Sequence, residues 1–141
     1  MIDVEAIAAA LLERVGTVEP VEYATRFKLG IDQLPQYPAC MVGVNGATVR
    51  PSHGLPSQWT ISFDIGFVDR ADGTTEEPET RLSEWLVNLQ AAMAPDEGAK
   101  VQNLDRLVEH AWISGPIDFV PPSAQFPWME CWVQVEVLAV G

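Results

Sequence analysis

The chain contains few residues of several types, and each shortage excludes a class of protein. Only two cysteines, Cys40 and Cys131, occur among 141 residues, which is too few for a disulfide framework, and they form no CxxC pair. Both are therefore predicted to be small buried hydrophobic residues. The two histidines, His53 and His110, have no second ligand at metal-binding spacing, so no metal site is predicted.

Basic residues are also scarce. Eight Lys and Arg stand against 20 Asp and Glu, which gives a net charge of −12 at pH 7. Because affinity for nucleic acid comes mainly from clustered Lys and Arg, this balance argues against ordinary nucleic-acid binding. The acids gather between residues 69 and 79, as a solvated loop or as a surface that repels DNA or meets a basic partner. The candidates for an acidic surface or lumen are Asp69, Asp72, Glu76, Glu77 and Glu79.

Long apolar runs and internal repeats are missing. No run of about 18 apolar residues occurs, so no membrane span is expected. The first residues carry Asp3 and Glu5 in place of lysines and have apolar residues at helical spacing, so we expect no signal peptide and folding in the cytosol. With 48% hydrophobic residues and no linker, residues 1–141 are predicted to form one domain.

Motifs that carry chemistry are absent as well. The sequence has no GxxxxGK[ST], GxGxxG or GxSxG motif, which excludes the usual phosphate-binding loops and the esterase elbow. Asp96 and Glu97 are neighbours on a turn, whereas acid–base catalysis needs two carboxyl groups in different environments. We therefore expect neither an enzyme nor a cofactor-binding protein.

Two segments have the periodicity of amphipathic helices. The first runs from Val4 to Val15, with Asp3 placed to cap its start and Gly16 to end it in a left-handed conformation. The second runs from about Pro78 to Met93 and places its apolar residues three or four apart. It is expected to cover the strongest strand of the sequence, at residues 59–67.

The other segments alternate with a period of two, as strands do. Strands are predicted at residues 21–29, 39–44, 59–67 and 128–140, with Asn45-Gly46 as a tight turn to a return arm at 47–50. Residues 50–57 and the proline-rich residues 116–127 are predicted to be loops. Residues 104–112 fit a short helix or a strand, and a strand at 107–114 is favoured. The predicted fold is α+β, a mainly antiparallel sheet of four to five strands with both helices on one face.

Apolar side chains remain in excess after the helices have covered the sheet. They lie in loops and on the second face of the last strand, where they either extend the core or form a subunit interface, in which aromatic residues concentrate. An oligomer fits a sheet that is apolar on both faces. The candidate interface residues are Arg50, His53, Leu55, Trp112, Phe119, Phe126, Trp128 and Trp132.

The order of these segments resembles that of the tail terminator proteins of long-tailed bacteriophages, the family that includes minor tail protein U of lambdoid phages. The resemblance covers nearly the whole chain and rests on the order of the elements, with no diagnostic motif. The features that carry it are the opening helix at 2–15, LPQYPAC at 34–40, WTISFDIGF at 59–67, RLSEWLVNLQAAM at 81–93 and the final strand ending in WVQVEVLAV.

The resemblance implies a structural virion protein without catalytic residues. Such a protein assembles in the host cytoplasm as a homohexameric ring on the tail. It caps the tail tube, ends polymerisation of the tube protein and meets the neck or head-completion proteins. DNA would pass through the ring without sequence-specific binding, and a negative lumen would keep it from sticking. The alternatives are a neck or head–tail connector protein and a small ligand-binding domain outside the virion.

Overall fold

The computed structural model describes residues 2–26, 30–71 and 77–141, leaving aside the side chains of Ile31, Ser52 and Glu77. In chain order the elements are helix α1 (Val4–Gly16), strand β1 (Tyr23–Arg26), a short 3-10 helix (Ile31–Gln33), strands β2 (Ala39–Ser52) and β3 (Leu55–Arg70), helix α2 (Glu77–Ala92), and strands β4 (His110–Val120) and β5 (Trp128–Val140). None of the described helices is long and apolar enough to cross a membrane.

The five strands form one mixed sheet in the order β1-β2-β3-β5-β4. β1 runs parallel to β2, and the remaining neighbours are antiparallel. The predicted α+β class and the mainly antiparallel sheet are therefore confirmed. β5 lies between β3 and β4, so the two strands that follow α2 extend the sheet on the side away from β1.

Residues from both helices and from one face of the sheet form a single buried cluster. α1 contributes Leu11, α2 contributes Trp85, and β3 contributes Phe67, whose ring stacks on Trp85 with 5.0 Å between centroids. The alternating residues predicted to face inward in β5 are buried in the same cluster: Cys131, Val133, Val135, Val137 and Ala139. Burial of this apolar surface is the main stabilising contribution to the fold.

The predicted start of α1 is confirmed, and the left-handed conformation predicted for Gly16 at its end is wrong. The Asp3 side chain caps the helix by accepting from the Ala6 backbone N–H at 3.1 Å. Gly16 is the last helical residue and does not have positive φ. A Cβ at Gly16 would lie 2.6 Å from the Cβ of Ala24, so glycine allows the helix to approach β1 closely.

Arg14 links α1 to the last residue of α2 and to the segment that follows it. Its guanidinium donates to the Ala92 carbonyl at 3.2 Å and to the Asp96 carboxylate at 3.1 Å. The Asp96 carboxylate also accepts from the buried Gln102 side chain at 3.3 Å. The hydrogen bonds from Arg14, and then that from Gln102, lower the pKa of Asp96 below its ordinary value.

Three positions that indicate turns or loops in the sequence lie within strands. Asn45 and Pro51 are in β2, and Pro116 is in β4. At each of them the pairing register of the strand shifts, as in a β-bulge. A proline at such a point breaks no ladder hydrogen bond, so the strand continues through it. The predicted Asn45-Gly46 turn is therefore wrong, as are the loop assignments for residues 50–52, 55–57 and 116–120, whereas residues 53 and 54 do form a turn.

Candidate assembly surface

The β2–β3 hairpin extends past its neighbouring strands. β1 pairs with β2 only as far as Val42, and β5 pairs with β3 only from Gln58 onward. The strands meet at a turn containing His53 and Gly54, whose φ of 71° favours glycine. We call residues 44–58 the hairpin arm. Its residues 44–50 form the edge of the sheet beyond the end of β1, and its tip at residues 51–57 also extends past β5. The arm is largely exposed.

The hairpin arm contains three of the predicted interface residues, of which only His53 lies outside a strand. Arg50 lies in β2, His53 in the turn and Leu55 at the start of β3. All three are exposed, and the Leu55 residue is 70% exposed. Val44 and Val49 are also exposed. The arm therefore offers apolar side chains to solvent.

The hairpin arm also differs from the remaining chain in charge. No Asp or Glu occurs between residues 33 and 63, although the chain has 20 of them. Arg50 is the one Lys or Arg in this stretch. Among the described residues no ion pair involves Arg50. The arm is thus a weakly basic extension of a strongly acidic protein.

A second exposed apolar site lies where β4 passes α2. A cavity of about 310 Å³ is bordered by Glu79, Leu82 and Ser83 of α2 and by apolar side chains on the other side. Phe119, which is 55% exposed, lies in that apolar wall together with Met129. We call this cavity the Phe119 pocket. Phe119 is a predicted interface residue and belongs to β4 instead of a loop.

The tryptophans of β5 lie on the face of the sheet opposite the helices. Trp128 and Trp132 pack against a small cluster that contains Leu34, Met41 and Val68. Both tryptophans are half-buried, so packing within the chain covers part of their surface. The Trp132 ring lies over Gly66, and its indole N–H donates to the Glu130 carboxylate at 3.1 Å.

Two other predicted interface residues make aromatic contacts within the chain. The Trp112 ring lies 4.6 Å from that of His110, and the Phe126 ring lies 5.4 Å from that of Trp128, measured between centroids. Both are half-buried. The predicted interface residues therefore do not form one patch: they separate into the hairpin arm, the Phe119 pocket and the second face of the sheet.

The second face of the sheet is acidic between its two ends. Cross-strand pairing places Asp64 opposite Gln134, Glu136 opposite Ser62 and Asp118 opposite Trp132 on this face. Burial raises the pKa of Asp64 above its ordinary value. Arg50 and Arg70 occupy the opposite ends of the same face, at the rows of Gln58 and Trp128. These acids were not among the predicted candidates. The alternation of β3 and β5 indicates a common face for Asp64 and Glu136, whereas Asp118 lies in a segment predicted to be a loop.

The predicted acidic surface at residues 69–79 is partly wrong. Asp69 is only 1% exposed, because it continues the inward-facing alternation of β3. Its carboxylate accepts from Arg81 Nε of α2 at 2.5 Å and from the Arg70 backbone N–H at 2.8 Å. Asp72, Glu76 and the side chain of Glu77 lie outside the described residues. Glu79 is exposed and borders the Phe119 pocket.

Within the described ranges, no three His, Cys, Asp or Glu side chains come together as a metal site. Cys40 and Cys131 are buried, as predicted, and burial raises the pKa of each thiol to about 12, assisted at Cys131 by the charge of Asp118. A wider cavity of about 540 Å³ has Tyr37 in its wall beside the paired Asp69 and Arg81, whose charges already satisfy each other.

The described residues define a class: an α+β domain with a five-stranded mixed sheet and, among these residues, two separate exposed apolar sites at the hairpin arm and the Phe119 pocket. In comparisons with known proteins, no family model and no curated sequence matched the chain.

Proposed function

We propose that the chain is a virion assembly protein of the tail terminator kind, which forms a ring on the end of a phage tail tube. In this role it ends polymerisation of the tube protein and offers its other side to the neck or head-completion proteins. The observation that carries the proposal is the exposure of large apolar side chains at two separated places, Leu55 on the hairpin arm and Phe119 beside α2. The order of the elements, which resembles that family, supports it as well.

Exposed apolar groups at two places support self-assembly. An isolated apolar side chain on a surface is ordinary, but apolar groups around a cavity or at the tip of a projecting arm are typical of protein interfaces. A subunit needs two such sites to join a ring, because each copy contacts one neighbour on each side. The hairpin arm and the Phe119 pocket meet that requirement.

The acidic second face supports a role beside DNA. Asp64, Asp118 and Glu136 lie on it with hydroxyl, amide and aromatic side chains between them. A surface of this charge repels phosphate and gives no counterion-release affinity for DNA. We propose that this face lines the channel of the ring, so that DNA passes without sequence-specific binding.

Native mass spectrometry and electron microscopy of the purified chain test the proposal. We expect a species near six times the 15.5 kDa monomer mass, and closed rings in the images. Rings incubated with tail tubes should then bind at tube ends and stop further growth of the tube. A chain that stays monomeric at high concentration would contradict the proposal. Rings that bind isolated necks but leave tube growth unchanged would favour the connector function instead.

The channel assignment has its own test. Replacing Asp64, Asp118 and Glu136 together by Lys should leave ring formation intact and create DNA binding that weakens with added salt. Replacing three exposed acids elsewhere, Glu13, Glu84 and Glu109, by Lys is the matched control. If the control variant binds DNA as well as the triple variant of the second face, the face does not line the channel.

A further inference from the structure

The hairpin arm carries an exposed leucine and one arginine, and the Phe119 pocket has apolar side chains in its wall and a glutamate at its border. We propose that the tip of the arm of one copy docks into the Phe119 pocket of the next copy, with Leu55 entering the cavity and Arg50 pairing with Glu79. This inference rests on the proposed function, since it assigns the contact through which the ring forms. The occupant of the pocket is then a second copy of this chain.

The arm and the pocket both contribute apolar side chains to the proposed contact. Leu55 is the most exposed of the large hydrophobic residues in the described part of the chain, and it follows directly on the turn of the arm. The pocket, at about 310 Å³, has Leu82, Phe119 and Met129 in its wall. Removal of a leucine side chain from water into such surroundings favours association. Anchors of this kind, seated in a pocket, dominate the binding energy of interfaces.

The charges favour this pair of surfaces over others. Two copies with a net charge of −12 each repel one another over most of their surfaces. The stretch from residue 33 to residue 63 has no acid, so the arm can approach another copy with the least repulsion. Arg50 then meets Glu79 at the border of the pocket, which fixes the orientation of the arm.

The positions of the two sites make the contact heterologous. The arm projects beyond Gln58, where β3 begins to pair with β5, on the side of the sheet that carries β2. The pocket lies at the opposite end, where Val120 of the outer strand β4 pairs with Glu130. Arm and pocket are therefore at diagonally opposite corners. A contact between two different surfaces repeats from copy to copy and closes into a ring when the rotation allows it.

Charge-reversal substitutions test the proposed ion pair between Arg50 and Glu79. Arg50→Glu and Glu79→Arg should each raise the concentration at which half of the chain is assembled by roughly tenfold, about the effect of 1.4 kcal/mol. The double variant restores the pair with reversed polarity and should assemble near the wild-type concentration. If the double variant assembles no better than the weaker single variant, Arg50 and Glu79 do not meet.

Mixing two defective variants tests the whole inference. Leu55→Asp removes the apolar side chain that enters the pocket and leaves the pocket intact. Phe119→Asp places a carboxylate in the wall of the pocket and leaves Leu55 intact. Each variant alone should be monomeric at concentrations up to about 100-fold above the wild-type midpoint, the effect of losing a central anchor. A 1:1 mixture should give heterodimers and nothing larger, since only one of the two possible contacts is intact. Val87→Asp, at a 66% exposed site on α2, is the control and should assemble as the wild type does.

The outcomes separate this inference from the proposed function. If the wild type forms rings and both single variants do too, the docking contact is wrong and the assembly function stands. If each single variant forms dimers by itself, the contact joins like surfaces and the heterologous arrangement is overturned. A wild type that stays monomeric at every concentration overturns the docking contact and the proposed function together. Circular dichroism of each variant should match the wild type, because both substituted residues are exposed.

Discussion

Asp69 and Arg81 join the end of a strand to the second turn of a helix. The Asp69 carboxylate at the end of β3 is buried and accepts from Arg81 Nε of α2, while the Arg70 backbone N–H donates to its other oxygen. This pair fixes α2 near the end of β3, on the side of the sheet where the Phe119 pocket forms.

Removal of Arg81 should therefore destabilise the fold. Arg81→Ala leaves a buried carboxylate without its charged partner, and we expect a loss of about 3 kcal/mol in the free energy of unfolding. Glu84→Ala, an exposed site on the same helix, should change it by no more than about 0.5 kcal/mol. Urea denaturation followed by circular dichroism measures both. An equal effect of the two substitutions would contradict a stabilising role for the pair.

Gly66 should tolerate no side chain while Trp132 is present. A Cβ there would overlap the Trp132 ring, so Gly66→Ala is expected to cost about 1–3 kcal/mol and to shift the tryptophan fluorescence. Gly46→Ala is the matched control, since nothing lies within 4 Å of its Cβ position. Combining Gly66→Ala with Trp132→Leu should cost less than the sum of the two single losses. Strict additivity would show that the ring does not lie over Gly66.

Asp96 should make stability depend on pH. Its pKa in the folded protein is lowered by the hydrogen bonds from Arg14 and Gln102, so its contribution is fully present above the ordinary carboxyl pKa of 3.8. That contribution is lost as the pH falls below this value and through the folded-state pKa. The stability difference between the wild type and Asp96→Asn, measured by thermal melting, should shrink over that window. A difference that stays constant from neutral to acidic pH would contradict the contribution of the charge.

The cysteines should be inert in the folded protein. Cys40 and Cys131 are buried, and their pKa values of about 12 leave almost no thiolate at a pH of about 8, near the pKa of an ordinary thiol. A maleimide or aromatic disulfide reagent should modify neither thiol until denaturant is added, and both afterwards. Rapid modification of one thiol without denaturant would show that its surroundings open to solvent.

The periodic segments of the sequence predicted their elements well. α1, α2 and β5 each bury one regular stripe of apolar residues, and such stripes depend only on the local sequence. The local preferences of Asn45, Pro51 and Pro116 indicate turns or loops. Long-range pairing with β3 and β5 overrides these preferences, since a register shift accommodates each residue without ending the strand.

The candidate site could be predicted only in part. The sequence indicates Arg50, His53, Leu55 and Phe119 as interface candidates, but it does not indicate their division between an arm and a pocket. The Phe119 pocket depends on β4 lying outside β5, a strand order that no local pattern specifies. The burial of Asp69 is predictable, by contrast, because this residue continues the alternation of the large apolar residues at 63, 65 and 67.

The strand order also constrains the order in which the strands can pair during synthesis and folding. β2 and β3 adjoin along the chain, so their hairpin can form early from local contacts. β5 contains the last strand residues in the sequence, yet it is inserted between β3 and β4. Until residues 128–140 have left the ribosome, β4 lacks the strand with which it pairs. Completion of the sheet is thus a late, cooperative event, and a newly synthesised copy cannot offer a finished Phe119 pocket to a neighbour before translation has passed β5.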